Sequence, residues 1–262
     1  MKNLFFIYLL FPFTLCLGQQ VKYSHYNTYI GTYKNGKLKI IDMIAAPRTS
    51  FYDSTGRYVS NTLYNDSLFG EVQQSFEYTY DALNRKEREY YTWGNGAPNS
   101  FIHYYYDSLD QNIRQEFYDL PDTTLTSVKF FNYDKHGNLL TKTQSFNNNP
   151  PILLKENTYT YAGDSLESCI STTYSLNGVL TEKEEIIYQN NKPVQETDLL
   201  KKETTLLSYY PSGRLKSRER DNYKDEYFYE VDAYGNVTLR AEIFNGIEGE
   251  IRVFSYEYYE SE

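Results

Sequence analysis

The sequence predicts an all-β protein made as a single array of antiparallel β-hairpins, a meander. Three observations predict it. A short turn phrase recurs along the chain, the residues between its copies alternate with period two, and no amphipathic helix is found after residue 20.

The phrase runs aromatic, Asp or a substitute, two residues, Gly or a substitute, Asn or Arg, then an apolar residue. Its clearest copies are Tyr133-Asp134-Lys135-His136-Gly137-Asn138-Leu139 and Val231-Asp232-Ala233-Tyr234-Gly235-Asn236-Val237. Tyr52-Asp53-Ser54-Thr55-Gly56-Arg57 also matches. The copies at Tyr80-Asp81 and Tyr106-Asp107 place Asn84 and Asp110 at the Gly position, and those ending at Gly178 and Gly213 keep the Gly but lose the Asp. Asp at the first corner of a type I turn accepts a bond from the backbone two residues on. The Gly position needs a left-handed backbone, which Gly adopts freely and Asn or Asp tolerate. A type I turn followed by such a residue is a bulged hairpin connection.

Spacing agrees with a hairpin unit. Gly56, Asn84, Asp110 and Gly137 recur every 26 to 28 residues, room for two strands and two turns. Looser turns fall between them at Asn65-Asp66-Ser67, Trp93-Gly94-Asn95-Gly96, Leu120-Pro121-Asp122 and Asn147 to Pro151. After Gly178 the rhythm tightens, and residues 159–168 fit the phrase poorly. Between turns, Val237, Leu239, Ala241 and Ile243 alternate with polar residues, as do Phe76, Tyr78 and Tyr80, and Phe254, Tyr256 and Tyr258. Residues 182–188 have helical propensity, but their place between two turn phrases predicts a strand. The period predicts about 16 to 19 strands.

Composition narrows the class further. Tyr 30 and Phe 15 against Trp 1 and Met 2 suit a thin sheet whose hydroxyls reach the rim rather than a thick dry core. Lys2 followed by the apolar residues 4–17, with Cys16 and Gly18 before Gln19, predicts a signal peptide over residues 1–18 and an exported, periplasmic or extracellular chain. Residues 19–262 then form a single domain. The apolar run is short of the about 20 residues of a membrane-spanning helix, so no transmembrane span is expected after cleavage. Lipidation of Cys16 is left open, because Leu15 stands where lipoprotein signals carry a small residue. Cleavage would leave Cys169 alone, which excludes a disulfide scaffold and a cysteine metal cluster. A formal net charge of −9 without a long basic run excludes nucleic acid as partner.

The phrase resembles the YD repeats of RHS-type proteins, and the resemblance covers most of residues 50–260. It implies a hairpin array forming a twisted or spiral sheet, an exported location and binding of carbohydrate or a cell-surface partner. In large members the sheet is a shell around a toxic C-terminal domain. This chain is short, shows no counterpart of their self-cleaving core motif, and carries no toxin-like tail after Glu260, so toxin packaging is not implied.

No catalytic motif, cofactor fingerprint or metal-ligand spacing appears. His25, His103 and His136 are not paired as zinc ligands, and His136 is expected to be solvated at a turn tip. One Asp per turn does not converge on a calcium ion. Cys169 reads as a half-buried strand thiol. The expectation is therefore a non-enzymatic binding module for a glycan or a cell-envelope protein. Trp93, Tyr90, Tyr91, Tyr104 and Tyr105 are the candidate contacts, since exposed aromatic rings stack on sugars and anchor partners. One alternative is an assembly protein that pairs through its edge strands. A second is an enzyme acting on envelope polysaccharide through clustered carboxylates such as Glu182, Glu184 and Glu185. A membrane barrel is disfavoured by charges on both faces of several segments. Ligand identity, oligomeric state and the choice between an open arc and a closed spiral are left open.

Overall fold

The structure is a computed structural model that describes residues 21–34, 37–64, 72–94, 96–147, 149–221, 223–246 and 248–258. The predicted signal peptide at residues 1–18, Cys16, the turn at Asn65-Asp66-Ser67 and Glu260 lie outside them. Eighteen strands run through the described residues: β1 (Val21–Lys34), β2 (Lys37–Tyr52), β3 (Tyr58–Tyr64), β4 (Val72–Tyr80), β5 (Lys86–Trp93), β6 (Ser100–Tyr106), β7 (Asn112–Asp119), β8 (Thr124–Tyr133), β9 (Leu139–Phe146), β10 (Ile152–Ala162), β11 (Ser165–Tyr174), β12 (Leu180–Gln189), β13 (Lys192–Asp198), β14 (Glu203–Tyr209), β15 (Leu215–Arg220), β16 (Tyr223–Val231), β17 (Val237–Phe244) and β18 (Glu248–Tyr258). Residues 182–188 lie in strand β12, so the turns on either side outweigh helical propensity.

Each strand pairs antiparallel with the next. β1 also pairs with β18, from Val21↔Tyr258 to Thr32↔Glu248. The meander therefore closes into a barrel, rather than the open arc or spiral sheet that the sequence suggested.

All seven turn phrases form the bulged hairpin. In the first, the Asp53 N–H bonds to the Arg57 carbonyl at 2.8 Å and the Gly56 N–H to the Asp53 carbonyl at 2.9 Å. The same two bonds recur at Asp81, Asp107, Asp134, Ser175, Tyr210 and Asp232. Gly56, Gly137, Gly178, Gly213 and Gly235 have φ between +75° and +86°, and Asn84 and Asp110 sit at +64° and +61°. Each Asp carboxylate accepts from the backbone two and four residues on, as at Asp134 from His136 and Asn138, both at 2.8 Å. The bulge falls at the aromatic of the phrase, where the register shifts at Tyr52, Tyr80, Tyr106, Tyr133, Tyr174 and Tyr209.

Strand direction explains the poor fit of residues 159–168. Successive turns alternate between the two rims. The Gly178 turn joins β11 to β12 and so lies on the rim opposite Gly56, Asn84, Asp110, Gly137, Gly213 and Gly235. Their rim is filled instead by the two-residue turns at Gly163 (φ +63°) and at Asn190-Asn191 (φ +52° and +58°).

The hydroxyl explains the excess of Tyr over Phe. Tyr106 donates to the Lys86 carbonyl, Tyr133 to Asn112 and Tyr256 to Val237, each at 2.7 Å. Tyr80 donates to the Tyr58 carbonyl, Tyr159 to Leu139 and Tyr209 to Pro193. Every one of these acceptors lies two residues beyond a left-handed corner and two residues before the first pair of the ladder to the following strand. A tyrosine from the next hairpin satisfies each of these carbonyls, joined at Leu139 by the Asn157 side-chain N–H.

The turn aspartates make stability depend on pH. At Asp53 burial pushes the pKa up, but bonds from Thr55 and Arg57 outweigh it and hold it at about 2. At Asp81 the Arg85 N–H leads the lowering. At Asp134 burial again raises the pKa and is outweighed by the Tyr161 hydroxyl and the Asn138 N–H. A carboxylate lowered in the folded state contributes stability above its unfolded pKa of about 4, and that stability is lost as pH falls through the folded value. The urea midpoint is therefore expected to fall steadily from pH 4 towards pH 2, and less steeply in Asp53→Asn. A midpoint constant over that range would refute the carboxylate caps.

Cross-strand partners share a face of the sheet, so the register sorts the side chains into two sets. One, the open face, holds Glu77, Tyr90, Phe101 and Tyr118 in one row. It continues through Thr158, Leu206, Ala241 and Ile251. The other, the tyrosine face, holds Tyr78, Glu89, Ile102 and Phe117 in one row. The apolar core is small and sits at the closure. Ala241, Ile243 and Ile251 are 0% exposed, with Tyr29, Phe228, Leu239 and Val253 packed against them.

Candidate binding surface

Because a strand alternates, the five predicted contacts divide between the faces. Tyr90 and Tyr105 lie on the open face, and Tyr91, Trp93 and Tyr104 on the tyrosine face. They do not form one site.

On the open face, three neighbouring strands set their rings in a row. Tyr90 lies 5.6 Å from Phe101 between centroids, and Phe101 stacks on Tyr118 at 4.7 Å and 13°. Arg88 donates to the Tyr90 hydroxyl at 3.3 Å and lies over Phe101. One strand-step along, Glu116 is buried and accepts from three donors: Tyr118 at 2.7 Å, Tyr105 and Arg114. Burial would raise the Glu116 pKa, but these bonds hold it below the ordinary glutamate value. The same contact, after burial, pushes the Tyr105 hydroxyl up to about 12. Tyr90 and Tyr105 are thus engaged by neighbours, and the row is cross-strand packing.

On the tyrosine face, Glu89 is the hub. It is buried, bonds to Lys86 at 3.1 Å and accepts from the Tyr104 hydroxyl. Lys86 lies 4.0 Å from the Tyr78 ring centroid. Burial and then the Glu89 charge raise the pKa of Tyr104 and of Tyr91, and Tyr91 also packs edge-on against Phe76 at 5.0 Å. Trp93 differs from the other four. It ends β5 at the rim, its backbone N–H donates to Asn99 Oδ1 at 2.8 Å, and 61% of it is exposed. The two glutamate hubs were not picked out from sequence. Their signal is a Glu whose strand neighbours offer several Tyr, but it shows only once the register is known.

The histidines are packed among aromatic and hydroxyl groups. His136 is half-buried and stacks on Tyr161 at 4.4 Å, where a solvated side chain was expected. The cause is Tyr161 itself, whose hydroxyl reaches across to Asp134 and brings the ring over the turn. His103 lies 4.4 Å from Tyr105, and His25 bonds to Thr49 at 3.0 Å. Cys169 is buried rather than half-buried, and burial raises its thiol pKa. No group of three His, Cys, Asp or Glu is placed to hold a metal among the described residues.

Two carboxylates approach each other on the tyrosine face at β16 and β17. Burial and then Glu242 raise the pKa of Asp225. Glu242 is engaged by the Tyr227 hydroxyl at 2.8 Å and by Arg240 at 3.3 Å. The adjoining hollow, lined by Thr205, Arg218, Arg220, Tyr223 and Asp225, holds about 210 Å³ and is shallow.

No known family matches the sequence, and no curated protein does. Among solved structures, a porin-like protein from Bacteroides uniformis is similar over 91% of this chain and 96% of its own, at 13% identity and a TM-score of 0.46. The TcdB2-TccC3 complex is similar over 86% of this chain and 17% of its own, at 13% identity and a TM-score of 0.31. The TcdB2-TccC3-Cdc42 complex is similar over 81% of this chain and 12% of its own, at 11% identity and a TM-score of 0.27.

Proposed function

We propose that the chain is an exported, non-enzymatic binding module of YD-repeat type that holds a glycan or a cell-surface partner at the rim around Trp93. The observation that carries this reading is the exposure of the chain's only tryptophan at the end of a paired strand, while the tyrosines beside it are tied to Glu89. An indole with a free face stacks on the apolar face of a sugar ring or anchors a protein contact. Export rests on residues 1–18.

Closure of the ring counts against the assembly alternative. Edge pairing needs unpaired backbone groups, and β1 and β18 commit theirs to each other. The enzyme alternative is weakened because Glu242 is already engaged and the hollow beside Asp225 is shallow. A membrane-spanning barrel is disfavoured because both faces carry charge in mid-strand. Arg88, Arg114, Glu116 and Glu156 lie on the open face, and Lys129, Lys142, Glu184 and Arg240 on the other. An Arg or Lys facing lipid costs about 2–4 kcal/mol at the midplane.

A glycan array with the mature chain should show saturable binding. Trp93→Ala should weaken it about tenfold or more, a loss of about 1.4 kcal/mol or more, with the melting temperature unchanged. Undiminished binding in that variant would remove the rim from consideration.

A further inference from the structure

Lys129, Lys142 and Lys155 recur every 13 residues, one strand plus one turn, and the fold brings them together. They lie on the tyrosine face of β8, β9 and β10. Lys142 and Lys155 are direct cross-strand partners. Lys129 faces Gln144, two residues from Lys142 on the same face. All three are half-buried.

Like charges placed opposite each other on a sheet destabilise it, and burial adds to the cost. Burial and then the Lys142 ammonium lower the pKa of Lys129, and burial and then Lys155 lower that of Lys142. None of the three forms an ion pair with a carboxylate among the described residues. Glu184, an acid that senses Lys155, is on β12, beyond the intervening β11. Lys129 Nζ is held 4.2 Å from the Phe117 ring centroid. Beside Lys155, Asn157 gives its side-chain N–H to the Leu139 carbonyl at 2.7 Å and keeps a buried Oδ1 with no donor.

We propose that Lys129, Lys142 and Lys155 form a binding site for a tetrahedral oxyanion, the sulfate or phosphate group of a hydroxyl-bearing compound such as a modified sugar. The ammoniums meet the anion, and Asn157 Oδ1 accepts a hydroxyl of its carrier. Charge-assisted bonds of this kind are the stronger ones, and the anion removes the repulsion that the cluster otherwise carries. The site is separate from the rim at Trp93 and stands or falls without it.

The test is thermal unfolding and calorimetric titration of the full mature chain at constant ionic strength, with sodium chloride as reference. Inorganic sulfate, inorganic phosphate, glucose 6-sulfate and glucose 6-phosphate are the probes. Sulfate or phosphate should raise the melting temperature where chloride does not. The sugar ester that binds more tightly identifies the group. Lys142→Gln and Lys155→Gln, close in size and neutral, should each weaken binding about tenfold. Asn157→Ala should weaken the esters but not the inorganic ions. A sulfate or phosphate shift equal to that of chloride, or one retained in both lysine variants with folding intact by circular dichroism, overturns the proposal.

Discussion

Truncating Ile251 to alanine is expected to lower the unfolding free energy by about 2–5 kcal/mol, the range for a fully buried Ile or Leu. Ile251 is 0% exposed and packs with Ala241 and Ile243 where β17, β18 and β1 meet. The effect should exceed that of a similar change elsewhere in the barrel, because most other described apolar side chains are only half-covered. Ile170→Ala on β11, half-buried in a wall far from the closure, is the control. Chemical denaturation of the two variants checks this. Equal losses would show that the closure has no special weight.

Gly249→Ala should be as damaging or worse. Gly249 faces Ile243 across β17 and β18. A methyl group there would lie 1.7 Å from the Glu242 carbonyl oxygen and 2.7 Å from its carbon. These are backbone atoms in a paired strand and cannot turn aside as a flexible side chain can. The strands would have to separate at the ring's last joint. A cost of about 3 kcal/mol or more is expected, at or beyond the upper end for overpacking. Near-UV circular dichroism and melting temperature read the outcome. A wild-type melting temperature in Gly249→Ala would mean that β17 and β18 do not approach so closely.

Much of this architecture is written locally. A type I turn with a left-handed fifth residue depends on four or five neighbouring side chains, so Asp134, Gly137 and their counterparts could be read one phrase at a time. The same is true of strand β12, where turns on both sides override helical propensity. Where the local rule is weaker, reading fails. Gly163 and Asn190-Asn191 make two-residue turns with no aspartate cap, and only the count of strands between rims shows that they replace the phrase.

What the sequence by itself determined is the hairpin unit, its repeat and the all-β class, because turn chemistry and period-two alternation act over a few residues. What only the tertiary structure decided is closure, face and neighbourhood. Pairing of β1 with β18 joins residues more than 200 positions apart, which no local signal encodes. Face depends on register, since a shift of one residue reverses every side chain. That is why Tyr90 and Tyr91, adjacent in the chain, serve different surfaces, while Lys142 and Lys155, 13 residues apart, stand side by side.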